Sequence, residues 1–144
     1  MPSFTLCVDF ALFPDNTPIP SGSVLGGFTF TAITPPPPSP QALFVNQTAG
    51  EKGIQFRDAG MVVKVPSIPL PVRKVSYRLG AFAGPVKVEA LGPTGGVVSS
   101  ASITTLNVYA NHIITVPRPK RIARLRFTGG HGEGILVKVC AHYA

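Results

Sequence analysis

The sequence predicts an all-β, single-domain fold of antiparallel strands, and three observations predict it. Short runs alternate apolar and polar residues with period two, as half-buried strands do. Turn signals punctuate those runs roughly every eight to twelve residues. No stretch of useful length carries a helical period, and 15 Gly with 16 Pro among 144 residues work against long helices. A chain of this length is one domain, residues 1–144, and buries roughly two-thirds of the surface its unfolded form exposes. The strand pattern alone suits a β-sandwich or a barrel.

Residues 4–12 alternate cleanly: Phe4, Leu6, Val8, Phe10 and Leu12 share one face, and Thr5, Cys7, Asp9 and Ala11 the other. Residues 13–24 hold Pro14, Pro18, Pro20 and Gly22 and read as loop. Residues 27–33 form a second strand with Phe28 and Phe30 in phase. The run TPPPPSPQ, residues 34–41, is polyproline II by composition, a stiff connector or a docking segment for an aromatic groove. Residues 42–45, 53–56 and 61–65 are short strands, and Asn46-Gln47-Thr48 matches a glycosylation sequon. The proline-dense segment 66–71 cannot lie inside a sheet.

In residues 72–79, Val75, Tyr77 and Leu79 point one way, and Lys74, Ser76 and Arg78 the other. Residues 80–84 turn the chain into a strand at 85–91, with Lys87 and Glu89 on its polar phase. Gly92 to Gly96 is a tight turn, 97–106 a Ser/Thr-rich strand, 112–116 a short apolar one and 117–121 a basic loop. Residues 122–143 read as a closing β-hairpin. Its loop carries Gly129, Gly130, Gly132 and Gly134, its core face Leu125, Phe127, Ile135, Val137 and Val139, and its outer face Arg124, Arg126 and Lys138.

The run VSYRLGAFAGPVKVEALGPTGGVV, residues 75–98, resembles part of a jelly-roll β-sandwich of the galactose-binding-like, carbohydrate-binding-module kind. The segment LRFTGGHGEGILV resembles the segment entering the final hairpin of such domains, and VDFALFPDNTPIPSG their first strand and loop. The resemblance covers about half the chain by pattern. It implies a jelly-roll sandwich and, in many members, a structural calcium near the first and last strands. Asp9 is the acid available there, Ala11 stands where a second would serve, and the last strand offers none after Glu133, whereas calcium takes six to eight oxygens. The resemblance also implies sugar stacking on exposed aromatics. The chain has no Trp and only Tyr77, Tyr109 and Tyr143. Tyr77 is in core phase, so Tyr109, read as a loop residue before His112, is the candidate platform.

No GxSxG, P-loop, GxGxxG after a strand or HExxH occurs, and the expectation is that this is no enzyme and holds no cofactor. Only His131 of the three histidines sits beside an acid, Glu133. The two are candidate loop contacts, with glycine backbone angles and a solvated pair as the plainer reading. Cys7 and Cys140 fall on the polar phases of the first and last strands. Two free thiols are the default of a reducing compartment, and a cross-strand disulfide is the alternative. The N-terminus lacks a basic region and carries Asp9 within its apolar part, so no signal peptide is recognised. A cytoplasmic protein, or part of a particle assembled there, is expected, with a removed leader left open. No run approaches a membrane span.

Charge is sparse, 13% of residues, and one-sided, 13 Lys+Arg against 6 Asp+Glu. Lys74, Arg78, Lys87, Arg124, Arg126 and Lys138 lie on polar phases. If their strands share a sheet they form one positive face, extended by Arg118, Lys120 and Arg121. A solvated face that discourages edge pairing is the plainer account. The leading expectation is a non-catalytic recognition or assembly module, a structural subunit or decoration of a larger particle with protein partners, as a homo-oligomer. A carbohydrate-binding module comes second. Anion or nucleic-acid-backbone binding through the basic face comes third, because few aromatics interleave with the charges.

Overall fold

The protein is described by a computed structural model covering residues 3–33, 43–57 and 59–144; the polyproline run 34–41 and Ala42 lie outside the described residues. The strands are β1 (Phe4–Asp9), β2 (Ser23–Leu25), β3 (Phe28–Ala32), β4 (Leu43–Thr48), β5 (Glu51–Phe56), β6 (Met61–Lys64), β7 (Val72–Ala81), β8 (Val86–Leu91), β9 (Val97–Ile103), β10 (Tyr109–Thr115), β11 (Arg124–Gly129) and β12 (Gly134–Tyr143). They form two antiparallel six-stranded sheets. Sheet A runs β10-β7-β12-β5-β4, with β1 also on β12; sheet B runs β2-β3-β6-β11-β8-β9. The fold is therefore the all-β sandwich expected, of jelly-roll type.

The alternation read in the sequence explains why the sheets stack. Val75, Leu79, Ile54, Phe56, Leu136 and Val139 from sheet A meet Phe28, Phe30, Met61, Val88, Leu125 and Phe127 from sheet B in one core. The aromatic rings tie the layers together. Phe127 lies 5.8 Å from Phe56 and meets Tyr77 edge-on at 5.6 Å, and Phe10 meets Phe30 edge-on at 5.2 Å.

Four expectations need correction. The closing segment is not a hairpin, because β11 belongs to sheet B and β12 to sheet A. Its loop, with Gly129, Gly130, Gly132 and His131 all at positive φ, carries the chain across the sandwich, so both strands face one core from opposite layers. β12 also has a register shift between Leu136 and Lys138, where its partner changes from β5 to β1. The shift puts Leu136 and Val139 into the core, while Ile135 and Val137 are buried outside the central cluster.

The first strand stops at Asp9. Its carboxylate accepts from the Ala11 N–H and caps a 3-10 turn at Phe10–Leu12, which breaks the alternation. Phe10 is buried, but Leu12 is 83% exposed and Phe4 42% exposed. Residues 13–24, read as loop, include the start of β2. Finally, several strands are longer than read. β4 and β5 extend to meet at Ala49 and Gly50, both at positive φ as a two-residue hairpin turn requires. β7 runs through Gly80 to Ala81, and β10 begins at Tyr109.

Candidate functional site

The cross-strand register defines the outer face of sheet A. Tyr109 stands opposite Gly80, which stands opposite Ile135, which stands opposite Gln55. One row further along, Asn111 pairs with Arg78 and Arg78 with Lys138; then Ile113 pairs with Ser76 and Ser76 with Cys140. These alternate residues must all point away from the core. Together Ser76, Arg78, Asn111, Ile113, Lys138 and Cys140 line a depression of about 240 Å³ across β10, β7 and β12.

Tyr109 forms one end of this face. It is a strand residue, not a loop residue, and its ring lies over Gly80. A Cβ at Gly80 would come within 2.8 Å of the ring and within 2.6 Å of Phe82, so only glycine leaves the space. Phe82 packs edge-on against Tyr109 at 5.1 Å, and the phenol donates to the Thr48 carbonyl across the sheet at 2.8 Å. Burial, with Glu51 nearby, pushes the phenol up to about 12, so it remains a donor.

Arg78 organises the polar part. Its Nε and Nη2 donate to the two carboxylate oxygens of Glu51 at 2.7 and 2.6 Å, and its Nη1 donates to Asn111 Oδ1 at 3.2 Å. Its guanidinium carbon lies 6.0 Å from the Tyr109 ring centroid. The hydrogen bond from Arg78 holds the Glu51 carboxyl below its ordinary value. Further along, His142 bonds to Thr5 Oγ1 through Nδ1 at 3.1 Å and to Ser76 Oγ through Nε2 at 3.0 Å. Burial first, then Lys74, lowers its pKa and favours the neutral ring.

The nine basic candidates do not share one face. Lys74, Arg78 and Lys138 lie on the outer face of sheet A. Lys87, Arg124 and Arg126 lie on the outer face of sheet B, the opposite side of the molecule. Arg118, Lys120 and Arg121 occupy the exposed turn between β10 and β11. The single positive face is thus corrected to two faces and one end, because period-two alternation fixes side but not sheet. Arg78 is committed to Glu51, and Arg126 and Lys87 both approach Glu89, at 2.9 and 3.7 Å.

His131 is exposed, and its ring covers Gly84, where a Cβ would fall 2.1 Å from His131 Cδ2. The Glu133 carbonyl accepts from the Phe82 N–H. Among the described residues no three His, Cys, Asp or Glu side chains converge as metal ligands. Asp9, the residue considered for calcium, serves as the turn cap described above. Cys7 and Cys140 stand directly opposite on β1 and β12 and form a disulfide on the outer face, in place of two free thiols.

Sequence reading missed Glu51 and Asn111 as site residues. Glu51 was legible only through the Ala49-Gly50 turn, which extends β5 back to it. Its bond to Arg78 crosses β12 and joins residues 27 positions apart, for which no local signal exists.

No protein-family model and no curated protein matches the chain. Solved structures do match over nearly its whole length. A family 29 carbohydrate-binding module from Piromyces equi shares 6% identity at a TM-score of 0.61, covering 100% of this chain and 93% of its own. A family 29 module complexed with cellulohexaose matches at 12% identity and TM-score 0.55, covering 96% and 91%. Another, complexed with mannohexaose, matches at 11% and 0.53, covering 99% and 89%. At these identities the likeness establishes the fold, a β-sandwich of the same jelly-roll kind.

Proposed function

We propose that the protein is a non-catalytic carbohydrate-binding module and that its binding face is the outer surface of sheet A. The observation that carries this reading is the juxtaposition of Tyr109, braced over Gly80, with the depression walled by Arg78, Asn111, Ser76 and Lys138. Sugar recognition needs an apolar ring face for the C–H side of a pyranose and fixed donors and acceptors for its hydroxyls. Tyr109 supplies the first. Arg78 and Glu51, Asn111 and the His142–Ser76 pair supply the second, held in place before any ligand arrives. The family 29 structures with cellulohexaose and mannohexaose support neutral hexose chains as the ligand class. The Cys7–Cys140 bond favours an oxidising working environment over the cytoplasmic one.

With a single ring as platform, affinity is weak, with a Kd on the order of 1 mM. Titration calorimetry against cellohexaose, mannohexaose and a glycan array tests the reading. Binding that Tyr109→Ala weakens severalfold is expected; an array without hits, or hits indifferent to Tyr109→Ala, removes it.

An assembly role is the second reading. Edge strand β10 exposes Ile113 by 61%, and Leu106 and Val108 are exposed in the segment leading into it, apolar surface suited to a second chain. Light scattering at high concentration tests it, and a clean monomer with no partner rejects it.

A further inference from the structure

The register of sheet B sets Lys64 of β6 directly opposite Arg124 of β11, both with side chains on the outer face. Like charges placed opposite each other across strands cost stability. Of the acids among the described residues, Glu89 is taken by Arg126 and Lys87. Glu51 is taken by Arg78, Asp9 and Asp15 accept from backbone N–H groups on the other side of the sandwich, and Glu133 lies beyond the far end of β11. No described carboxylate therefore relieves Lys64 and Arg124.

The strain on charge is deepened at the same end. The Ile122 N–H donates to the Val72 carbonyl and the Ala123 N–H to the Leu91 carbonyl, which ties the chain after Arg121 between the two sheets. Arg121 is thereby fixed on the rim of a depression of about 200 Å³ that it shares with Lys64. Pro66, Ile68, Leu70 and Pro93 line the apolar remainder, and Arg118 and Lys120 stand in the same turn as Arg121. Lys64 and Arg121 thus border a shallow apolar floor at one end of the molecule, with Arg124 opposite Lys64 on the adjacent strand and Arg118 and Lys120 in the adjoining turn.

We propose that this end of sheet B, with Lys64, Arg121 and Arg124 as its contacts, binds an acidic polysaccharide. The cross-strand neighbours Lys64 and Arg124 take a carboxylate or sulfate group, Arg121 takes a second along the chain, and the apolar floor accepts the C–H face of the sugar between them. A single-stranded nucleic acid fits less well, because the aromatic ring at the site, Tyr143, is 1% exposed and offers no face for a base. The site lies apart from the Tyr109 face and does not rest on the function proposed there.

The test compares two variants that lose equal charge. Lys64→Gln with Arg124→Gln removes the cross-strand pair; Lys87→Gln with Lys52→Gln removes two cations elsewhere. Binding of polygalacturonate is measured by affinity electrophoresis and calorimetry, with neutral dextran, duplex DNA and vesicles containing phosphatidylserine as comparisons. The wild type binds polygalacturonate at low salt and releases it near ~1 M NaCl. The first variant binds about tenfold more weakly, and the second stays within about twofold. Because the first variant relieves repulsion, its melting temperature does not fall, which separates lost binding from lost fold. Equal loss in both variants, no binding to polygalacturonate, or tighter binding to DNA or vesicles overturns the proposal. A wild type that fails to bind polygalacturonate yet keeps Tyr109-dependent glycan binding would sink this site and leave the other standing.

Discussion

Glu51→Gln, Arg78→Met and the double variant form a cycle that isolates the pair organising the outer face of sheet A. The contact is bidentate, 2.7 and 2.6 Å, which places it above an ordinary surface pair. Each side chain still keeps 32% of its exposure, so solvent screens the interaction and its coupling energy is about 1 kcal/mol, not the several of a buried pair. Arg78→Met also removes the contact with the Tyr109 ring, about 0.5 kcal/mol, which the cycle cancels because it is lost equally in the Arg78 single variant and in the double variant. The folded-state pKa of Glu51 is depressed, chiefly by the Arg78 hydrogen bond. The coupling is therefore fully present above the ordinary carboxylate value of 4.5 and fades as pH falls through the lowered one. Urea unfolding of the four proteins at neutral pH and near pH ~3 measures it. A neutral-pH coupling indistinguishable from zero, or one that persists undiminished in acid, would refute the reasoning.

Two further outcomes follow from the core and the covalent link. Phe127→Ala, fully buried between Phe56 and Tyr77, lowers unfolding free energy by about 3–5 kcal/mol in urea titration, and a loss below about 1 kcal/mol would mean the sheets are not stacked on this ring. Reduction, or Cys7→Ser with Cys140→Ser, costs about 2–4 kcal/mol because the bridge closes a sequence separation of 133; unchanged stability in reductant would contradict a formed disulfide.

The elements that sequence reading located well are those whose signal is local. Residues 72–79 and 85–91 alternate strictly, and β7 and β8 follow them, with Val75, Tyr77, Leu79, Val86 and Val88 all buried. The shared outer phase of Cys7 and Cys140 was likewise legible, since each strand reports its own two faces. Where polar residues continue a strand, as at Asn46–Thr48 and at Glu51, alternation carries no apolar marker, and those ends were lost.

What the sequence determined by itself is the all-β class, the turns and, for most strands, which side chains go inward, because period two is a property of one strand alone. Tertiary structure decided sheet membership. Arg124 and Lys138 share an outward phase, yet face opposite sides of the molecule, because the glycine loop between them crosses from one layer to the other. It also decided which charges are spent. Arg78 is neutralised by a carboxylate reached over an intervening strand, while Lys64 and Arg124 are set side by side with none among the described residues. Such pairings depend on strand order, a long-range quantity that no local window of residues encodes.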